Sequence, residues 1–199
     1  MPSLFERKPE YWARDLADRV FEEAVKAELD LLGWPYTDNT AAHERADLYF
    51  TRQVRGRAVR AALELKEKRQ RYRPRWAELA GVPEAELLAL DEVAARKLLA
   101  VSPRAFVLFH DATRADRPYV LFTIVDLLCL PKVRVQRGIN LHSPRMKAKW
   151  LLDARHGRGF GGLREAMSAL ANYLDRGLGD DLRRVGPHGP FAGESVETL

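Results

Sequence analysis

Apolar positions along the chain fall into two rhythms, one helical and one alternating. Between residues 10 and 32, Ala13, Ala17, Val20, Ala24, Ala27 and Leu31 share one face of a helix, with Leu16 and Phe21 at its flanks. Gly33 stops this helix, and Pro35 prevents its return. Trp34 to Thr37 reads as a short strand, followed by a polar loop through Asn39 and His43. From Asp47 the rhythm shortens to two. Leu48, Tyr49 and Phe50 open one strand, Leu63, Glu64, Leu65 and Lys66 close another, and Arg55-Gly56 breaks the run between them. A two-residue turn there makes Val54 face Arg57 and sets Asp47 opposite Glu64. The same period puts Lys66 on the face of Glu64 and turns Leu63 and Leu65 to the other.

Pro83 to Ala100 reads as helical, broken near Asp91, which can cap a segment carrying Val93, Ala94, Leu98 and Leu99. Pro103 ends it. Ala105 to Phe109 and Tyr119 to Leu128 are apolar runs of strand length, suited to the centre of an α/β sheet. Beyond Pro131 the pattern weakens into a basic region with Arg134, Arg137, Arg145, Lys147 and Lys149, together with His142 and Trp150. It reads equally as part of a nucleic-acid surface or as a solvated loop. Leu163 to Leu178 is a further amphipathic helix striped by Leu163, Met167, Leu170 and Leu174. From about Val185, Gly186, Pro187, Gly189, Pro190 and Gly193 predict a flexible tail. The expected organisation is one α/β domain over 1–182, with a core at about 10–128, a basic loop and helical extension at 131–180, and a tail at 183–199.

A chain of 199 residues, 46% of them hydrophobic, can bury a proper core. Asp126 interrupts the longest apolar run, Val120 to Leu130, so no membrane span is expected. The N-terminus carries Glu6, Arg7, Lys8 and Glu10 without an apolar signal region, which predicts a soluble cytoplasmic protein. The single Cys129 excludes an internal disulfide and reads as a small buried hydrophobe. The net charge of +5 suits a polyanionic partner. Arginine outnumbers lysine, which favours bidentate phosphate contact, although base composition gives the same bias.

Charge changes the reading of the hairpin. Like charges directly opposite across a strand pair destabilise it, so Asp47 and Glu64 together need a reason. A divalent cation between them reverses the sign of that interaction, and Mg²⁺ prefers such oxygen ligands with water and a substrate phosphate. Lys66 lies beside them. A basic run follows: Lys68, Arg69, Arg71, Arg73 and Arg75, with Tyr72 and Trp76 interleaved and Glu67 opposing. Such a run is usually a solvated face; starting at this site, it favours phosphate contact, with the aromatics available to stack on bases or sugars. Other signals are bland. Gly157, Gly159 and Gly162 have dinucleotide-motif spacing but no β-α-β unit, and they read as a loop and helix start. There is no Walker lysine motif, so no nucleotide cofactor is expected. The five histidines show no metal-ligand spacing, and no serine sits in a nucleophile elbow.

A helix carrying Glu22 and Glu23, then Asp47 opening a strand, then Glu64-Leu65-Lys66 on the next, with a helix and buried strands after them, resembles the PD-(D/E)XK nuclease superfamily. The resemblance covers roughly residues 10–128. Ala46 stands where that family often has Pro. The resemblance implies a restriction-endonuclease-like fold: a central mixed β-sheet flanked by helices, with an α-β-β-β-α-β core and, here, a C-terminal helical extension. It also implies a Mg²⁺-dependent DNA endonuclease, with Mn²⁺ able to substitute. Asp47, Glu64 and the Leu65 carbonyl would hold the metal, and Lys66 would act on the attacking water or the transition state. Lys68, Arg69, Arg71, Tyr72, Arg73 and Arg75 would hold the DNA backbone. Relatives of the archaeal Holliday-junction type carry a helix glutamate at the spacing of Glu22 from Gly33-Trp34, whereas the helical wheel favours Glu23. Either glutamate alone also reads as a solvated helix carboxylate. Duplex cutters of this kind commonly form a homodimer, although no interface signature marks one here. The alternative is a nucleic-acid-binding or assembly module with the fold and no catalysis. A third reading makes the hairpin charges a solvated face of an unrelated α/β protein.

Overall fold

The computed structural model of the chain describes residues 9–40, 44–138, 146–176 and 194–198. Helix α1 (Pro9–Leu31) ends where Gly33 turns left-handed at φ 66°. The Gly33 and Trp34 amides then donate back to the carbonyls of Asp30 and Leu29, at 3.0 and 2.9 Å. The packed face of α1 differs from the stripe expected. Phe21, Val25 and Leu29 are buried, while Val20 and Leu31 are 69% and 72% exposed. The face is rotated by one residue. Its physical cause is size: burying Phe, Val and Leu removes far more apolar area from water than burying Ala24 and Ala27. The side chains of Ala13, Leu16 and Ala17 lie outside the described residues.

Strands β1 (Tyr36–Asp38), β2 (Leu48–Val54) and β3 (Arg57–Lys68) form an antiparallel meander. The β2–β3 turn takes positive φ at both central residues, 50° at Arg55 and 76° at Gly56, as a type I′ hairpin requires. The register runs from Val54↔Arg57 to Leu48↔Leu63, so the next pair outward is Asp47 and Glu64. The chain continues through α2 (Pro74–Ala80), β4 (Leu87–Asp91), α3 (Glu92–Leu99), β5 (Ala105–Asp111), β6 (Tyr119–Thr123), α4 (Ile124–Cys129), β7 (Lys132–Gly138) and β8 (Met146–Asp153). It ends with β9 (Arg158–Phe160), α5 (Leu163–Arg176) and β10 (Glu194–Thr198).

Two sheets result. The larger runs β1-β2-β3-β5-β6-β9 and is mixed, because β5 pairs with β3 in parallel. Helices α1 and α5 cover one face through Phe21, Val25, Leu29, Met167 and Leu170 packed on Leu63, Leu65, Phe106 and Leu108. Helices α3 and α4 cover the other, with Ala94, Leu98, Ile124 and Leu127 packed on Ala62, Val107 and Phe109. The order α1-β1-β2-β3-α3-β5 is the expected α-β-β-β-α-β core, with α2 and β4 inserted before α3. The helical extension is α5.

The second sheet, β10-β7-β8-β4, corrects several expectations. Leu87–Asp91 is a strand, not part of a helix, because Leu88 and Leu90 pack into one cluster and Leu87 and Ala89 into another. A short apolar run has no period of its own, and pairing with β8 decides its state. Val93 and Leu99 of the following helix point outward, at 54% and 38% exposed. The run from Tyr119 stops being a strand at Thr123, where Thr123 and Asp126 form a reciprocal capping box that starts α4. Cys129 ends α4 exposed rather than buried. The described part of the basic region after Pro131 is paired strand rather than loop. It forms β7 and β8, with Arg134 held by Glu92 and both Lys147 and Lys149 by Asp91. Arg145, His142 and the Arg137 side chain lie outside the described residues, as does most of the predicted tail. Glu194–Thr198 of that tail pairs in parallel with β7.

Of the glycines at 157, 159 and 162, the first has a packing explanation. A Cβ on Gly157 would sit 2.5 Å from Val120 and 2.8 Å from Phe122, so this close approach to β6 admits only glycine.

Candidate functional site

The site lies where β2 begins, beside the second half of β3. Glu64 and Lys66 share a face of β3, and Asp47 precedes β2 on the same side. The Glu64 side chain is 2% exposed. Its Oε1 accepts from Lys66 Nζ at 2.7 Å, and its buried Oε2 has no hydrogen-bond partner among the described residues. Asp47 Oδ2 accepts the Leu65 amide at 2.8 Å and lies 3.9 Å from Lys66 Nζ. Burial raises the Asp47 pKa, and Glu64 adds to the rise against the pull of Lys66. Burial opposes the Lys66 charge, but Glu64 and Asp47 outweigh it and its pKa is raised. The two carboxylates thus stabilise the charged form of Lys66.

The rotation of α1 determines which helix glutamate reaches this point. Glu22 is half-buried, its pKa raised first by burial and then by Asp47, with Lys66 also within electrostatic reach. Glu23 is 62% exposed and pairs with Lys26. Lys26 also binds Asp38 at 2.9 Å, tying α1 to the end of β1. Glu22, Lys66, Arg69, Gln70 and Tyr72 line a cleft of about 380 Å³ against the site.

The basic run divides. Lys68 is buried, with Nζ 2.9 Å from Asp111 Oδ2 and 3.0 Å from the Leu87 carbonyl. It joins β3 and β5 to the start of β4 and does not present its charge to a ligand. Tyr72 stacks on Trp76 at 5.5 Å, and burial pushes its hydroxyl up to about 12. Trp76 packs with Leu87, Val135 and Leu151, so these aromatics serve the second sheet rather than an open stacking platform. Arg69 is paired with Glu67 at the cleft, while Arg71, Arg73 and Arg75 are exposed.

A network that sequence spacing does not reveal joins the cleft wall. His110 Nδ1 is 3.0 Å from Glu67 Oε1, and the His110 ring stacks on Tyr119 at 4.9 Å beside Phe21. Glu67 thereby links His110 on β5 to Arg69 at the cleft. Their contact follows from the parallel register Glu67↔His110, which joins two distant segments of the chain.

Oxygen donors suit a hard cation here. The Leu65 carbonyl points to the same side as its amide, past the end of β2, because both groups of a strand residue face one neighbour. Together with Asp47 and the unpartnered Glu64 oxygen it makes a donor set that fits a divalent ion. No group of three His, Cys, Asp or Glu side chains is arranged as a ready metal cage among the described residues.

No family model matches the chain, and no curated protein sequence matches it. Two solved structures share its outline. One is a nuclease from a fusellovirus, 10% identical, with a TM-score of 0.43, covering 83% of this chain and 96% of that one. Another is a Holliday junction resolvase from Archaeoglobus fulgidus, an archaeal hyperthermophile, 11% identical, with a TM-score of 0.38, covering 73% and 98%. Both are nucleases by name, the kind of protein the sequence resembles, but neither likeness is close enough to bear on what this chain does. No helix among the described residues is long and apolar enough to cross a membrane.

Proposed function

We propose that the chain is a metal-dependent DNA endonuclease that hydrolyses phosphodiester bonds. One observation carries the reading: the buried Glu64 and the half-buried Asp47, two carboxylates that repel each other, share a site with Lys66 beside an open cleft. Folding alone gains nothing from such a pair. Asp47, Glu64 and the Leu65 carbonyl would hold Mg²⁺ or Mn²⁺, with Glu22 extending the shell. The ion, when bound, lowers the pKa of water and neutralises phosphate charge.

The chain's own groups supply the rest. Lys66 donates to Glu64, and its ammonium would donate to the water or to a phosphate oxygen as charge builds in the in-line transition state. Arg69, paired with Glu67 at the cleft, would add its charge where a phosphate enters. Arg71, Arg73 and Arg75 add backbone contacts that position DNA without reading sequence.

The test is nicking and linearisation of supercoiled plasmid with Mg²⁺, Mn²⁺ or EDTA. Asp47→Ala, Glu64→Ala and Lys66→Ala should each lower the rate by roughly 10²-fold or more. Lys66→Arg should retain part of it, because the charge remains. Cleavage in EDTA, or full activity in all three alanine variants, contradicts the proposal. A second reading is a binding module without cleavage, in which Lys66 stays bound to Glu64 at 2.7 Å as a structural pair. It predicts DNA binding with no metal-stimulated cutting on plasmid, single-stranded or branched DNA.

A further inference from the structure

The opposite end of β3 carries a second cationic feature that the carboxylate site does not use. Arg57, the first residue of β3, precedes Lys66 by about 30 Å at strand rise. Two clefts meet there. One, of about 430 Å³, is lined by Arg55, Arg57, Arg104 and Asp175. The other, of about 180 Å³, is lined by Tyr49, Arg60 and Arg104. Arg104 lines both. Arg55, Arg57, Arg60 and Arg104 are all exposed, and Arg60 lies 4.6 Å over the Tyr49 ring.

Among the described residues the charge there is not internally neutralised. Asp175 is the one carboxylate lining either cleft among the described residues, and Arg52 grips it with both guanidinium nitrogens. Each of the other arginines remains a planar fork with unfilled donors. Arg55 is also placed at a cost. It adopts φ 50° in a type I′ turn, a position that Asn, Asp or Gly fills with less strain. Arg55 lies within electrostatic reach of Asp175, but Arg52 already holds both oxygens of that carboxylate, which leaves the Arg55 guanidinium open to a ligand.

We infer that these arginines form a second nucleic-acid contact, which binds the phosphodiester backbone at the hairpin end of the sheet, away from the carboxylate site. Arginine rather than lysine suits bidentate phosphate capture. The register places Arg57 and Arg60 on opposite faces of β3, so the cluster wraps the end of the sheet through Arg104. A linear polyanion can follow that curved path, which a flat acidic protein surface cannot. The inference deepens the nuclease proposal but stands on its own geometry.

The experiment measures anisotropy of labelled single-stranded and duplex DNA in EDTA, so that no cleavage intrudes, from roughly 50 to 200 mM salt. Arg57→Ala/Arg60→Ala/Arg104→Ala should weaken binding and flatten the slope of log affinity against log salt by about 2–3, near 0.7–0.9 for each phosphate no longer neutralised. Arg57→Lys/Arg60→Lys/Arg104→Lys should keep most of the slope while weakening binding by severalfold. Circular dichroism reports folding; if the triple alanine variant is unfolded, single Arg104→Ala, which empties both clefts of their shared side chain, decides by a slope change near 1. An unchanged slope and affinity in the folded variant overturns the inference. So does a wild type that binds no DNA, even if plasmid cleavage persists and the nuclease proposal survives. Arginine-dependent binding without metal-stimulated cleavage has the reverse meaning: the second contact stands and the nuclease proposal falls.

Discussion

Burial and the facing Glu64 raise the Asp47 pKa, and burial with Asp47 does the same to Glu22. A carboxyl whose folded pKa lies above its unfolded value binds its proton more tightly in the folded chain. Folding stability then falls as pH rises through that interval, and the decline is complete above the folded pKa. Asp47→Asn keeps an oxygen for the Leu65 amide and removes the decline. Its Tm should exceed that of the wild type at neutral pH, by about 2–4 °C for each ~1 kcal/mol regained at this chain length. The difference should shrink as pH falls from the raised folded value toward 3.8, the ordinary value for Asp, and vanish below it. Parallel melting profiles across pH for the two proteins would contradict this. At this scale the sequence was legible. Strand alternation and one turn dipeptide placed Asp47, Glu64 and Lys66 together, because a hairpin register leaves little freedom once its turn is known. His110 was not legible, because its contact with Glu67 depends on a parallel pairing between distant segments.

Helix α1 was legible as an element but not in its orientation. Its alanine-rich stripe satisfies helical spacing, yet alanines contribute little apolar area, and Phe21, Val25 and Leu29 take the core. That rotation carries Glu22 toward Asp47 and leaves Glu23 in solvent. Two substitutions of the same kind test it. Val25→Asp buries a carboxylate in the core and should cost ~3 kcal/mol or more in urea melts. Val20→Asp, at an exposed position, should stay within about 0.5 kcal/mol of wild type. Equal costs would restore the orientation that helical spacing alone favours. Strand β4 and the second sheet escaped for a related reason. Their charged residues read as a solvated region because their partners, Asp91 and Glu92, lie far away in sequence.

Across the whole molecule, the buried Lys68–Asp111 pair joins the two sheets. Lys68 reaches the carbonyl of Leu87 on β4 while Asp111 on β5 also holds the Thr113 amide at 3.0 Å. Inside a run of basic residues nothing marked Lys68 as different, since burial is a property of the fold. Lys68→Met leaves a carboxylate buried without its cation and should cost about 3–5 kcal/mol. Combining it with Asp111→Asn, which keeps an acceptor for Thr113, should recover much of that stability. If the double variant were no more stable than Lys68→Met, the pair would not be coupled.

The parallel pairing of β3 with β5 sets a timetable for the nascent chain. The strand holding Glu64 and Lys66 is made early, but its inner neighbour follows only after α2, β4 and α3, a crossover on the order of 40 residues. A ribosome-bound chain that has emerged only through α3 shows a finished hairpin with one bare edge, open to pairing with other chains. Aggregation during synthesis should therefore centre on β3. Truncation just before β5 should yield insoluble protein rather than a smaller working unit.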